Sequence, residues 1–163
     1  MKAIAMFGKK DFLRDRRGTI AVFLALIVPV IFGMAALAVD IGYVGSMHAQ
    51  LRATAEATAL AAATTLDDPA QAEARALEYA AKNMLPEDHG TVLQSADVVL
   101  GNWDADTRAF IAGGAPTNAV QITVRRTAAN NNPVELFFAS VIGVDTADVT
   151  ATAIADDNLR VVN

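Results

Sequence analysis

An uninterrupted apolar segment, residues 20–39, constrains this chain more than any other feature of its sequence. Its twenty residues, IAVFLALIVPVIFGMAALAV, carry no charge. A helix rises about 1.5 Å per residue, so a helix of this length spans roughly 30 Å, the thickness of the hydrocarbon core of a bilayer. The sequence therefore predicts a membrane-spanning helix, and we interpret the rest of the chain relative to it.

The predicted anchor is apolar throughout and contains two residues that weaken a helix, Pro29 and Gly33. Proline lacks a backbone N–H, so Pro29 is expected to kink the segment. The residues on which we expect anchoring to depend are Ile20, Phe23, Leu26, Pro29, Phe32, Gly33 and Val39.

The charges on either side of the anchor predict its orientation. Residues 1–19 contain six basic and two acidic side chains, which gives this tail a charge of +4. The whole chain carries −5, so residues 20–163 carry −9. Lys and Arg next to a membrane segment favour the cytoplasmic side. We therefore expect a cytoplasmic tail (1–19), a single transmembrane helix (20–39) and an exterior α+β domain (40–163).

A cleaved signal peptide is the competing interpretation of the N-terminus. A basic stretch, an apolar stretch and Ala36-Leu37-Ala38 resemble its three regions. The apolar stretch is longer than the usual 7–15 residues, and the predicted helix continues past Asp40. We expect a retained anchor, and cleavage after Ala38 stays open.

Composition excludes several classes of function. The chain has no cysteine, which rules out a disulfide scaffold, thiol chemistry and Cys-based zinc sites. Its acidity argues against nucleic acid as a partner, and Arg125-Arg126, the only basic pair outside the tail, is interpreted as a solvated strand end.

Catalytic and metal-binding motifs are also lacking in the sequence. The two histidines, His48 and His89, have no metal-ligand spacing, and Asp104 and Asp106 lack the Gly and Glu of a calcium loop. No nucleophile motif or phosphate-binding glycine loop occurs. We expect no enzyme activity, no metal and no cofactor.

Helical signals predict two helices after the tail. The first runs from about residue 18 to about 66, and Asp68-Pro69 caps a second that ends before Pro86. Residues 86–90 are predicted to be a loop. The alanine-rich residues 49–63 offer little bulk, and we expect this face to pack closely, with Ala57 and Ala61 as the test positions.

Alternating residues in the second half predict strands. The expected strands are 96–100, 107–111, 119–127 and 146–155, with the turn of the first pair at GNWDAD and Trp103 packed over that hairpin. Asn132-Pro133, with Glu135 three after the cap, predicts a short helix that ends at Gly143. Phe137 and Phe138 in that helix are interpreted as core residues.

Asp40 ends the apolar run and allows two interpretations. It is either a solvated charge at the membrane boundary, which we favour, or an ion-pair partner for a neighbouring subunit in an assembly. The fold class that follows from all elements is α+β, in which a long N-terminal transmembrane helix continues into a small pilin-like domain with an antiparallel sheet of about four strands. That architecture alone fixes no function.

Several motifs resemble TadG-like proteins of the tight-adherence (Flp-type) pilus assembly systems of bacteria. In the N-terminal half these are Arg16-Arg17-Gly18, Pro29, Ala38-Val39-Asp40 and the alanine-rich helix that starts at Gln50-Leu51. In the C-terminal half they are GNWDADTRAF, AVQITVRRT and ELFFASVIGVDTADVTATAIA. The resemblance covers residues 16–155. It implies a bacterial inner-membrane location, a periplasmic C-terminal domain, and other pilus or secretion-machinery proteins, or further copies of the chain, as partners.

The chain departs from the family pattern in two places. Relatives processed by a prepilin peptidase have Glu five residues after the cleavage glycine, whereas cleavage after Gly18 would put Phe23 there. Longer TadG-like proteins carry a von Willebrand factor A domain with an Asp-x-Ser-x-Ser metal site, and that pentapeptide does not occur in this sequence.

Three functional hypotheses follow. The leading one is a membrane-anchored structural component of a Tad/Flp-type pilus assembly or secretion system, which acts by protein–protein packing. The second is a minor pilin-like subunit that is processed and enters a filament. The third is a tethered periplasmic ligand-binding domain, which would need a pocket beside Trp103.

Overall fold

A single long helix dominates the first part of the chain. The computed structural model describes residues 18–162, so the predicted basic tail lies almost entirely outside the described residues. Helix α1 runs from Thr19 to Ala63, with Pro29 inside it. The predicted helix is confirmed and ends three residues earlier than expected.

The chain divides into two units, and the boundary between them lies between Val39 and Asp40. In the first unit, residues 20–39 are helical and nearly all of their side chains are exposed. Of the elements in the described residues, the second unit contains the rest of α1, two further α-helices, short 3-10 turns and the strands.

Two helices follow α1, and each begins with a proline at its first position. Helix α2 is Pro69–Asn83, capped by the Asp68 carboxylate, which accepts hydrogen bonds from the backbone N–H groups of Ala70 and Gln71 at 3.1 Å. Helix α3 is the single turn Pro86–His89. The expected loop at 86–90 is therefore wrong, because Pro86 starts a helical turn that closes with a Gly90 N–H bond to its carbonyl.

Within residues 18–162, seven strands form one larger and one smaller antiparallel sheet. The larger sheet has the order β2-β1-β3-β6-β7, and the smaller pairs β4 with β5. The strands are β1 Val98–Asp104, β2 Ala109–Ala112, β3 Ala119–Arg126, β4 Val134–Glu135, β5 Thr146–Ala147, β6 Val149–Asp156 and β7 Val161–Val162. The α+β class is confirmed, with a sheet of five strands where about four were expected.

One face of the larger sheet packs against the helices. The β3 residues Val120, Ile122 and Val124 are fully buried, and their partners on β6 are alanines. The core continues into α1 and α2, and its α1 members are Met47, Leu51, Ala55, Ala59, Ala62 and Ala63. The opposite face is more polar, since Thr123 and Thr152 meet there with their hydroxyls 3.2 Å apart.

The first hairpin differs from its prediction because its turn comes later. Strand β1 continues through Gly101 and Asn102 to Asp104, and Trp103 pairs with Phe110. The Asp104 carboxylate accepts hydrogen bonds from the backbone N–H groups of Asp106 and Thr107, so the turn starts there.

The predicted helix at Asn132-Pro133 is also wrong in its first half. Val134 and Glu135 form strand β4, and a helical turn follows only at Ala139–Ile142, which ends at Gly143 as expected. The Asn132 side chain is engaged elsewhere and caps no helix, because its Oδ1 accepts from the Thr127 N–H and its amide nitrogen lies within hydrogen-bond distance of three carbonyls. The predicted last strand is divided into β5 and β6 by Asp148, whose carboxylate accepts from the Ala128 N–H.

Candidate interaction surface around Asp40

Asp40 is the first charged residue after the apolar run, and its side chain is only 2% exposed. Its carboxylate accepts three backbone hydrogen bonds from a segment almost a hundred residues later. The Phe137 N–H donates to Oδ1 at 2.9 Å, and the N–H groups of Phe138 and Ala139 donate to Oδ2 at 2.9 and 2.6 Å. The interpretation of Asp40 as a solvated boundary charge is therefore wrong.

These three donors explain why a carboxylate can be buried at this point. Burial by itself raises the pKa of Asp40, because it penalises the charged form. The backbone hydrogen bonds from Ala139, Phe137 and Phe138 stabilise the charged form and outweigh burial, so the pKa lies below its ordinary value. Asp40 is consequently a carboxylate at neutral pH.

Asp40 binds the backbone at the entrance to a helical turn about a hundred residues later in the chain. The turn is Ala139–Ile142, and the residue at its cap position, Phe138, has no side-chain acceptor. The first N–H groups of a helical turn have no partner within the turn. The Asp40 carboxylate accepts from one of them, that of Ala139, and from the two N–H groups that precede the turn.

The capped segment is the loop between β4 and β5, and we call residues 136–144 (LFFASVIGV) the apolar loop. It contains no charged residue. Its base is closed by the pairs Val134–Ala147 and Glu135–Thr146 and by a bond from the Leu136 N–H to the Asp145 carbonyl. The loop is therefore held at its base by the smaller sheet and at its start by Asp40.

Large apolar side chains of this loop point outward. Val141 is 87% exposed and Ile142 73%, and Phe137, Phe138 and Val144 are also exposed. The expectation that Phe137 and Phe138 belong to the core is therefore wrong. Phe137 does touch α1, because its ring meets the ring of Tyr43 edge to face, with centroids 5.1 Å apart.

The predicted anchor residues lie on the first part of α1. Their side chains are exposed, and a Cβ added to Gly33 would meet no atom within 4 Å. By length and composition, the described helix from Ile20 onward can cross a membrane.

The alanine-rich part of α1 packs closely, but not through the residues chosen from sequence. Ala55 and Ala59 are fully buried in the core, whereas Ala57 and Ala61 are half-buried. Thr54 and Thr58 share the buried side. The close-packed face is thus offset by about two positions from Ala57 and Ala61.

Trp103 lies apart from the Asp40 contacts and belongs to the first hairpin. It is half-buried on β1 opposite Phe110, and the Asn118 side chain binds its backbone N–H and carbonyl. The structure thus places Trp103 in the predicted hairpin, and the packing of its indole over that hairpin stays a prediction.

Sequence reasoning missed a buried polar cluster at the end of β3. Arg126 is buried, and its guanidinium donates to the carbonyls of Asn132 at 3.1 Å and Pro133 at 3.0 Å. Arg125 forms an ion pair with Asp97 at 2.7 Å. The interpretation of this basic pair as a solvated strand end is wrong for Arg126. A basic residue in phase with the buried positions 120, 122 and 124 was the available signal.

No group of three or more His, Asp or Glu side chains within residues 18–162 could hold a metal ion. The same part of the chain contains concave regions. One, of about 130 Å³, lies between α2 and the residues after α3, and another, of about 320 Å³, is lined by His48, Arg52 and residues 150–152. Neither is lined by Trp103, so they give the ligand-binding hypothesis no support.

Comparison with known families agrees with the resemblance in the sequence. A family model described as Tad-like Flp pilus-assembly matches residues 49–155, and one described as Flp pilus-assembly TadE/G-like matches residues 18–65. The first includes β1 to β6 and the apolar loop, and the second includes Asp40. No curated protein and no solved structure matches the chain. Because the first model alone covers more than half of the sequence, the chain belongs to the Tad-like Flp pilus-assembly family.

Proposed function

We propose that this protein is a membrane-anchored structural component of a Tad/Flp-type pilus assembly or secretion system and acts by packing against other proteins of that machinery. The family is a structural pilus-assembly family rather than an enzyme family. The observation that carries the proposal is the change of character along α1. Its side chains are exposed and apolar through residues 20–39, and from Met47 onward one side of the same helix supplies the domain core.

An exposed apolar helix of this length is stable in lipid and unstable in water. Twenty uncharged residues match the hydrocarbon core. The +4 charge of residues 1–19 supports a cytoplasmic tail, and the acidic remainder supports a periplasmic domain. In this proposal the anchor residues are Ile20, Phe23, Leu26, Pro29, Phe32, Gly33 and Val39.

Carbonate extraction of membranes tests the anchor. The full-length protein should stay in the pellet. The double variant Leu26→Arg/Phe32→Arg should fail to insert, because each central Arg costs about 2.5–3.5 kcal/mol. The matched control is Ile111→Arg/Leu159→Arg, two exposed positions of the domain, which should behave as the unsubstituted protein. Recovery of the unsubstituted protein in the carbonate supernatant would refute the proposal.

Orientation is tested with single cysteines, since the natural chain has none. A membrane-impermeant maleimide added to spheroplasts should label Asn158→Cys directly. It should label Lys10→Cys only after lysis. The reverse pattern would place the domain in the cytoplasm.

The alternative is a processed minor pilin-like subunit. The observation in its favour is the sequence Arg16-Arg17-Gly18 directly before the apolar segment, since cleavage after Gly18 would remove the basic tail and make Thr19 the first residue. Mass spectrometry of the protein isolated from cells separates the two functions. A mature N-terminus at Thr19 would favour the filament subunit, and a retained basic tail would favour the static anchor.

A further inference from the structure

The apolar loop has no partner within residues 18–162 that covers its tip. Val141 and Ile142 are the most exposed large apolar residues of the domain, and Phe137, Phe138 and Val144 extend the same loop surface. Contiguous exposed apolar side chains on a soluble domain mark a surface that contacts another apolar phase. The side chains alone do not say which phase.

The position of the loop along α1 supplies that information. Three of its N–H groups bond to Asp40, at 2.6–2.9 Å, and Asp40 follows the apolar run by one residue. A helix advances only about 1.5 Å per residue. The start of the loop is therefore fixed at the level where the apolar segment ends, which is the level of the lipid headgroups if residues 20–39 span the bilayer.

We propose that the apolar loop inserts into the interfacial layer of the membrane that residues 20–39 span, so that the domain contacts lipid at a second place. This inference rests on the proposed anchor. Phe side chains and short aliphatic ones suit the boundary between headgroups and acyl chains, into which apolar faces sink by about 5–10 Å.

Charges around the loop define the kind of lipid surface. The exposed residues that flank it, Glu135 and Asp145, are acidic. The nearby Asp40 carboxylate is also negative and is held by three backbone donors and no cation within residues 18–162. Insertion thus depends on apolar burial and not on attraction to anionic headgroups, and a zwitterionic membrane is sufficient.

The inserted loop would restrain the domain in a way that the helix alone does not. A single helix leaves a domain free to rotate about the helix axis. A second contact, fixed to α1 through Asp40 and through the Tyr43–Phe137 ring contact, presents the same side of the domain to neighbouring proteins.

Spin labels on single cysteines test the inference in the full-length protein. The protein is reconstituted into phosphatidylcholine–phosphatidylethanolamine vesicles with a nitroxide at Ile142→Cys in the loop, Ile111→Cys on the edge strand β2 or Phe32→Cys in the anchor. Ile111 is the matched control, because it is also an exposed isoleucine of the domain. Collisions with oxygen, which concentrates in lipid, and with a water-soluble nickel chelate are compared by power saturation.

We expect the Ile142 label to collide more with oxygen than with the nickel chelate, as at Phe32, and the Ile111 label to show the opposite order. Equal behaviour of the Ile142 and Ile111 labels, with Phe32 in lipid, overturns the inference and leaves the anchor intact. Nickel-accessible labels at all three positions refute the anchor and the inference together.

The spin-label experiment has two further outcomes. An Ile142 label shielded from both reagents, with spin–spin broadening, would mean that a second copy covers the loop, and this also overturns the inference. If Ile142→Cys does not fold, as judged by Trp103 fluorescence, Val141→Cys replaces it at the adjacent and even more exposed position.

Discussion

Replacing Ala59 by leucine tests whether the alanine-rich face of α1 is as closely packed as the structure shows. Ala59 is fully buried in the core that also contains Ala151, Ala153 and Ala155 of β6. Leucine adds three carbons. If a cavity received them, burial would stabilise the fold by about 0.8 kcal/mol per carbon, or roughly 2.4 kcal/mol. In a filled core the same carbons force neighbours apart and cost about 1–3 kcal/mol. The change in the free energy of unfolding therefore has opposite signs in the two cases.

We expect Ala59→Leu to destabilise the fold, because both α1 and β6 contribute alanines to this part of the core. The matched control is Ala53→Leu on the exposed side of the same helix, which should change stability by no more than about 0.5 kcal/mol. Alanine and leucine are both good helix formers, so helix propensity contributes little to the difference between the variants.

Thermal unfolding of the full-length protein in detergent measures the effect. Trp103 is the only tryptophan, and its position in the sheet makes its fluorescence a report on the domain. A loss of 1–3 kcal/mol should lower Tm by roughly 4–12 °C in a domain of this size. Ala57→Leu and Ala61→Leu should have smaller effects, since both positions are half-buried. An Ala59→Leu protein as stable as Ala53→Leu would contradict the close packing.

Further predictions concern buried polar groups. Asp40→Asn should speed hydrogen exchange at the Phe137, Phe138 and Ala139 amides, because the charged acceptor of all three is lost. The amides of β3 should keep their protection. Unchanged exchange at the three amides would show that the loop does not depend on the carboxylate. Arg126→Met should cost about 1–3 kcal/mol by leaving the Asn132 and Pro133 carbonyls without their donor, and a stability equal to the unsubstituted protein in urea would argue against this cluster. Burial raises the pKa of Asp156, but bonds from Arg160 outweigh it and lower the pKa below its ordinary value of about 4. The stabilisation from Asp156 should therefore be complete above that value and fall as the pH drops through the lower native pKa, and Asp156→Asn should flatten this part of a Tm–pH profile.

The parts of the fold that sequence predicts correctly carry their signals within a few residues. Asp68-Pro69 both caps and starts α2, and the alternation of residues 119–127 predicts β3, which the structure has as Ala119–Arg126. These signals work because a cap or a strand face is decided by neighbouring backbone groups.

Prediction from local sequence signals fails at residues whose type is set by a tertiary contact. Gly101 and Asn102 suggest a turn, yet Gly101 lies inside β1. A Cβ there would collide with the Ile111 carbonyl and the Phe110 ring, so the glycine provides room for a close strand partner. Asn132 resembles a helix cap, yet its amide joins β3 to the residues after α3.

Asp40 shows most clearly that a local sequence pattern contains no information about distant hydrogen-bond partners. From its neighbours it can only be described as the residue that ends an apolar run, and a solvated charge is the reasonable interpretation. Its donors are 97–99 residues away, and no spacing in the sequence connects them. One deficit is nevertheless visible in the sequence. A carboxylate beside twenty apolar residues loses free energy if it is buried without hydrogen-bond donors. The fold removes this cost through the backbone N–H groups of Phe137, Phe138 and Ala139. The same contact holds the start of the apolar loop next to the residue that follows the apolar segment, and this is the observation behind the proposed contact of the loop with lipid.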